Sequence, residues 1–433
     1  MYDTPLTALV LSGGGARAAY QVGVLRAIVR LRRERQGANA RVRNPFGIIV
    51  GTSAGAINAA ALACQADRFE AAVEVLAKVW QNFQIDQVYR SDSLGEIHTG
   101  AGWRTMLSVG QLVQRWRRDQ PRSMLDNRPL AELLARWLPL DRLPVLLKQR
   151  QLHGLAITAS RYSTGEHVTF YSMDKPVEPW LRSGRIAVPA LVQHAHLLAS
   201  SAIPFIFPPT QLASQGGSGW YGDGSMRQTA PLSPAIHLGA ERLLIIGPGR
   251  MDGPPADPPP DEAPPSWAQV AGHVMASIFL DALAVDIERM QRINRTLALL
   301  PDSARQDTPL RPLESLVISP SQRLDEIATR HQALLPRPVR ALLNGSAASG
   351  TPGEGAQAEA ARGAAMASYL LFEAPFTREL MALGEADAMD RRDEVLQFFA
   401  WERPGLRRGA AADSGWLAPP PLPAGTAPDI VLP

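Results

Sequence analysis

The pattern of apolar and polar positions is clearest in the first 60 residues, where two periods alternate. Residues 6–11 form an apolar run of strand length that stops at Gly13-Gly14-Gly15. Over residues 16–35 the apolar positions Val22, Leu25 and Val29 recur near helical spacing, which predicts a helix. Residues 46–50 predict a second buried strand. It ends in Gly51-Thr52-Ser53-Ala54-Gly55, and a helix of small residues follows over 56–64. Strands alternating with helices at this rhythm imply a parallel sheet covered on both faces.

Farther along, residues 155–159, 168–171, 242–246 and 313–318 read as strands. Residues 270–299 and 361–399 read as long helices. Residues 254–265 are rich in proline and acid, 345–355 in glycine, alanine and serine, and the tail after Arg403 in proline. Such composition offers too little apolar surface to order itself. The organisation this predicts is an α/β core over 1–250 with a cap-like insertion at about 88–150. A linker follows over 251–267. Residues 268–402 then complete the sheet and add helices, and 403–433 form a tail.

Composition narrows the class. Of 433 residues, 45% are hydrophobic and 20% charged, which excludes a disordered or fibrous chain. The net charge of +3 is too small to argue for a nucleic-acid partner. The one cysteine, Cys64, allows neither an intrachain disulfide nor a cysteine-built metal site. The most apolar stretch, 186–207, is interrupted by Pro189, His194, His196 and Pro204, so no membrane-spanning helix is expected. Residues 1–5 lack the pattern of a secretory signal. The expectation is a cytoplasmic protein whose membrane contact is peripheral.

Candidate chemistry sits at the two glycine-rich turns. Gly51-Thr52-Ser53-Ala54-Gly55 is a G-x-S-x-G pattern between a strand and a helix, a sharp turn that exposes the Ser53 hydroxyl at the helix N-terminus. Neighbouring parallel strands end on one edge, so Gly13-Gly14-Gly15 should face it with bare backbone N–H groups, as an oxyanion hole requires. The alternative G-x-G-x-x-A dinucleotide reading of residues 13–18 wants an acid at the end of the second strand, where Gly51 stands. Ser53 needs a base. Among eight histidines, His331 lies late enough for the α/β-hydrolase order of serine, acid, histidine. Asp223, held between Gly222 and Gly224 after a glycine-rich stretch read as a loop (216–219), is the other candidate.

Together these elements resemble the patatin-like phospholipase family. The resemblance rests on Leu11-Ser12-Gly13-Gly14-Gly15-Ala16-Arg17, the Gly-Thr-Ser-Ala-Gly turn and Asp223-Gly224. It extends to Ala199-Ser200-Ser201-Ala202-Ile203-Pro204, to Phe207-Pro208-Pro209, and to residues 158–170. It covers about residues 6–247. It implies a three-layer α/β/α fold with a mainly parallel sheet and a C-terminal helical extension. It also implies a Ser–Asp dyad working without histidine or any cofactor or metal. Carried onto this chain, Ser53 is the nucleophile and Asp223 its base. Gly13, Gly14, Gly15 and Ala54 form the oxyanion hole. Gly51, Gly55 and Gly224 support the turns, and Arg17 either braces the loop or meets a phosphate. Two departures are Ser225, where the family has glycine or alanine, and Ala18, where it often has glycine. The implied substrates are phospholipids or lysophospholipids.

A lipid substrate calls for a membrane-facing surface. Residues 103–116 read as a basic amphipathic helix carrying Trp103 and Trp116, suited either to an anionic interface or to packing as a lid. Residues 26–43 carry seven arginines against Glu34 alone, read as a solvated helix end. Two further readings stay open: an α/β-hydrolase-type esterase with a histidine base, and a non-catalytic lipid-binding protein on the same fold.

Overall fold

Apolar runs without alternation demand cover on both sides, and the sheet receives it. The computed structural model of the protein describes residues 5–36, 44–91, 123–214, 217–247, 249, 270, 273–274, 277–344 and 355–401. The strands are β1 (Thr7–Leu11), β2 (Ile48–Thr52), β3 (Gly154–Arg161), β4 (His167–Met173), β5 (Leu181–Arg182), β6 (Arg185–Pro189), β7 (Thr210–Ser214), β8 (Gly217–Asp223), β9 (Arg242–Ile246) and β10 (Glu314–Ile318). They form one sheet in the order β10-β9-β1-β2-β3-β4-β6-β5, with β8 on the end of β3 and β7 on β8. From β10 to β3 the pairing is parallel, while β4 and β8 both run antiparallel to β3.

Fourteen helices among the described residues surround it: α1 (Ala19–Gln36), α2 (Ala54–Ala63), α3 (Phe69–Gln81), α4 (Arg128–Trp137), α5 (Leu143–Lys148), α6 (His194–Ser200), α7 (Ser233–His237), α8 (Ala282–Leu299), α9 (Asp302–Gln306), α10 (Leu324–His331), α11 (Arg337–Asn344), α12 (Gly355–Leu370), α13 (Ala374–Asp390) and α14 (Arg392–Phe398). Successive strand side chains point to opposite faces, and the core divides accordingly. Leu9, Leu11 and Ile49 pack with α1, α2, α3 and α13, whereas Ala8, Val10, Ile48 and Val50 pack with α7 and α8. The result is a three-layer α/β/α fold with a mainly parallel sheet and a C-terminal helical region.

The structure amends several sequence expectations. The helix read at 361–399 is three helices, because residues 371–373 leave helical geometry and Pro375 opens α13. The helix read at 16–35 begins with a tight 3-10 turn over Gly15–Ala18. The glycines at 217–219, read as a loop, lie in β8, where β7 pairs with them. Of the insertion at about 88–150 the two ends are described, and they meet: Arg90 and Asp126 exchange both backbone hydrogen bonds, at 2.9 and 3.1 Å. The helix expected at 103–116, the linker 254–265, nearly all of 345–355, the arginines beyond residue 36 and the tail lie outside the described residues. No helix among the described residues is long and apolar enough to cross a membrane.

The C-terminal helices are tied to the first helix by a buried acid. Asp387 on α13 accepts the Tyr20 hydroxyl at 2.9 Å and both the N–H and hydroxyl of Ser321, at 3.0 and 2.6 Å. Asp387→Ala strands the buried Tyr20 hydroxyl and releases the more exposed Ser321, and should lower stability by about 1–3 kcal/mol, while Tyr20→Phe should cost about 1 kcal/mol. Urea denaturation measures both, and equal midpoints for Asp387→Ala and the parent protein would disprove the tie.

Candidate active site

The turn after β2 is strained, and its sequence is what permits it. Ser53 has φ 56° and ψ −131°, a conformation L residues rarely adopt. A Cβ on Gly51 would overlap the Gly55 carbonyl, and one on Gly55 would overlap the carbonyls of Leu11 and Ser12. The strained serine is held from outside. Its N–H donates to Ser200 Oγ at 2.9 Å, and Ser200 Oγ donates to the Thr158 carbonyl at 2.6 Å.

Sheet register explains how a carboxylate far along the chain meets this hydroxyl. Thr52, the last residue of β2, is level with Thr158 on β3. Strand β3 runs on past β2, and its next residue, Ala159, is level with Asp223 at the end of β8. Ser53 and Asp223 therefore emerge beside the same stretch of β3. Ser53 Oγ donates to Asp223 Oδ2 at 2.6 Å. The other oxygen, Oδ1, accepts the Ser225 N–H at 2.8 Å, and the Asp223 N–H donates to the Ala202 carbonyl at 2.9 Å. Gly224 lies against the Thr158 carbonyl, where a Cβ would not fit. Asp223 is wholly buried. Loss of water raises its pKa from 3.8 to about 6, against the pull of the Ser53 and Ser225 hydrogen bonds.

The Gly13-Gly14-Gly15 turn leaves β1 at the level of Gly51 on β2. Its leading end is fixed by polar groups within the core. The Ser12 carbonyl accepts from Gln21 Nε2 at 2.7 Å, and Ser12 Oγ donates to the Ile246 carbonyl at 3.0 Å. Gln21 in turn accepts from Asn58 on α2 at 3.0 Å, and Asn58 accepts the Trp80 indole N–H at 2.9 Å. Among the described residues, the N–H groups of Gly13 and Gly14 make no hydrogen bond. Ala54 opens α2, so its N–H has no intrahelical acceptor. Gly55 sits against the Leu11 and Ser12 carbonyls, so the glycine turn and the serine turn lie side by side. Arg17 is not open to a substrate phosphate. Its side chain is 5% exposed, and its Nε donates to Ser368 Oγ on α12 at 2.7 Å.

An apolar cavity reaches the serine. Gly15, Ser53 and Ala54 are in its lining. Ile57 and Ala61 of α2, Gln65 just beyond it, Leu76, Trp80 and Phe83 of the α3 region, and Leu130 and Leu134 of α4 also line it. Val75 and Trp137, also in its lining, are 39% and 52% exposed.

No described histidine hydrogen-bonds to Ser53 or Asp223. His331 is engaged with Glu379 at 2.6 Å, and His167 is buried neutral, with its pKa pushed down to about 3 by desolvation. Burial also pushes the Cys64 thiol up to about 12. Among the described residues, no group of three or more His, Cys, Asp or Glu is placed to hold a metal ion. Sequence reasoning assigned no role to Ser200, Gln21, Asn58 or Gln228, whose amide donates to Thr52 Oγ1 at 2.9 Å. The signal for the first three was present: uncharged polar residues set inside apolar helical runs.

The sequence model of the patatin-like phospholipase family matches residues 9–236. Among solved structures, VipD from Legionella pneumophila is 14% identical, with 88% of this chain and 67% of that chain covered and a TM-score of 0.28. The type III effector protein ExoU is 16% identical, with 94% and 90% covered and a TM-score of 0.26. Scores this low carry no argument. No curated protein matches the chain.

The raised pKa of Asp223 makes its ionisation costly to the fold. The group binds its proton more tightly folded than unfolded, so its contribution is complete below about pH 4 and is lost as pH rises through about 6. Two pKa units correspond to about 3 kcal/mol. Asp223→Asn should therefore gain stability relative to the parent protein between pH 4 and pH 8. Denaturation curves at both pH values check it, and a gap that does not widen with pH would refute it.

Proposed function

The chain belongs to the patatin-like phospholipase family, and from that premise we propose that it is a serine acyl hydrolase cleaving fatty-acyl esters of phospholipids or lysophospholipids. The observation that carries the reading is the 2.6 Å hydrogen bond to a dry carboxylate from Ser53 Oγ, a serine in the lining of an apolar cavity. An aspartate is an ordinary acid in water and a poor base. With its pKa raised to about 6, Asp223 is still ionised at neutral pH and is better matched to taking a proton.

In the proposed reaction the acyl chain lies in the cavity along α2 and its carbonyl carbon meets Ser53 Oγ. As the oxygen attacks, its proton passes to Asp223 Oδ2. The N–H groups of Gly13, Gly14, Gly15 and Ala54 receive the developing oxyanion. Asp223 then gives the proton to the departing alcohol, leaving an acyl-Ser53 ester. Water attacks that ester, Asp223 takes the water's proton, and the fatty acid leaves as the serine hydroxyl is restored. Gly51, Gly55 and Gly224 keep the turns close enough for these contacts. Trp137 and Phe205, both more than half exposed, suit a peripheral lipid contact near the cavity.

Ser53→Ala should abolish release of fatty acid from phospholipid or lysophospholipid vesicles and labelling by a fluorophosphonate, with the fold intact. Asp223→Asn should lower kcat by ~10²–10⁴-fold. In the parent protein kcat should rise with pH through about 6 as the base ionises. Hydrolysis that survives Ser53→Ala would end the reading. The cavity supplies a further measurement. Ala61 lies about 10 Å along α2 from Ala54, at 1.5 Å per residue. Ala61→Trp should depress kcat/KM for long-chain esters at least about tenfold, the effect of losing a few buried methylenes. Butyryl esters should be spared, and equal losses for both would remove the acyl chain from this cavity.

A further inference from the structure

The family match ends at residue 236, yet the loop that would hold the oxyanion is gripped from residues 368 and 369. Three observations meet there. Arg17 Nε donates to Ser368 Oγ at 2.7 Å, across 351 residues of sequence. The Arg17 guanidinium lies over the Tyr369 ring, 4.2 Å from its centroid. Gly15, at φ 54°, sits against the Tyr369 carbonyl so closely that no Cβ would fit.

The acceptor is itself fixed. Ser368 Oγ donates to the Ala365 carbonyl at 2.6 Å, which turns a lone pair toward Arg17. Ser368 and Tyr369 are fully buried. The chain beyond them stays on the site: the Leu370 carbonyl accepts the Tyr89 hydroxyl at 3.0 Å, and Phe372 lines the cavity.

A run of three glycines has no side chains of its own to restrain it and loses more conformational freedom on ordering than any other sequence. Its aim must come from its two ends. Ser12 holds the leading end through Gln21 and Ile246; the trailing end is held by Arg17 and Gly15 on α12. We propose that Ser368 and Tyr369 are positioning residues of the active centre, which fix the Gly13–Gly15 donors and so make the C-terminal helices part of the catalytic machinery. The proposal rests on reading the site as a serine acyl hydrolase.

The test uses the 433-residue chain as Ser368→Ala, Ser368→Thr and Tyr369→Leu, with Ser53→Ala as reference. Each is measured for kcat and KM on a soluble monoacyl ester and for amide hydrogen exchange by peptide. Ser368→Ala and Tyr369→Leu should lower kcat by about 10²-fold, the scale of one lost oxyanion donor, with KM within about twofold. Exchange over residues 11–18 should quicken about tenfold or more while 48–63 stays as in the parent protein. Ser368→Thr, which keeps the hydroxyl, should restore both. Parent-like kcat and parent-like exchange at 11–18 in both variants would overturn the proposal. So would exchange that quickens throughout the chain, since that marks a general loss of packing. If the parent protein shows no ester hydrolysis that Ser53→Ala removes, the functional reading fails, and exchange at 11–18 still decides whether α12 positions the loop.

Discussion

A carboxylate taken out of water must find donors that replace its solvent, or the fold will not tolerate its charge. Asp223 is completely enclosed, and two donors answer it, the Ser53 hydroxyl and the Ser225 N–H. Each partner constrains the other. The serine can reach the acid only from a backbone conformation that costs of order 1–3 kcal/mol. That conformation persists because Ser200 anchors the serine N–H and passes the bond on to Thr158 of β3. The same strand carries β8 on its far end. One extended strand thus serves as the common reference against which the Ser53 hydroxyl and the Asp223 carboxylate are both placed.

Electrostatics and packing divide the work around that pair. The acid owes its raised pKa to desolvation, which the surrounding apolar clusters provide. The backbone donors owe their availability to the opposite provision, since Gly13 and Gly14 leave a strand and Ala54 enters a helix without partners in either ladder. Between them, Gln21, Asn58 and Trp80 form a buried polar line that ties the glycine loop to the two helices flanking the cavity. Polar groups so deep are tolerated because each is satisfied, and a satisfied network in a low dielectric holds its geometry firmly.

Much of this was legible in the chain. Uninterrupted apolar runs ending in glycines mark β1 and β2, because a strand buried on both faces leaves no room for alternation. The Ser53 turn and the Asp223-Gly224 pair could be named for the same reason, as close backbone approaches leave glycine as their trace. The hairpin of β7 and β8 was not legible, since Gly217, Ser218 and Gly219 follow no strand propensity and are extended only because Ala213 and Leu212 pair with them. The partner of Arg17 was hidden for a different reason. A buried arginine announces that it needs an acceptor but carries no sign of where in the sequence that acceptor lies. The continuous helical pattern over 361–399 concealed two breaks, because Phe372 points inward from an extended segment as readily as it would from a helix.

The contacts that define the centre are separated by 170 residues in one case and 351 in the other. Contacts of such high order form slowly, because long loops must close before they are rewarded. A nascent chain that has emerged as far as β8 holds both Ser53 and Asp223 but lacks the helix that grips the glycine turn. The geometry around Ser53 is therefore complete only once the C-terminal helices have docked, and a half-synthesised chain carries the pair without its finished surroundings.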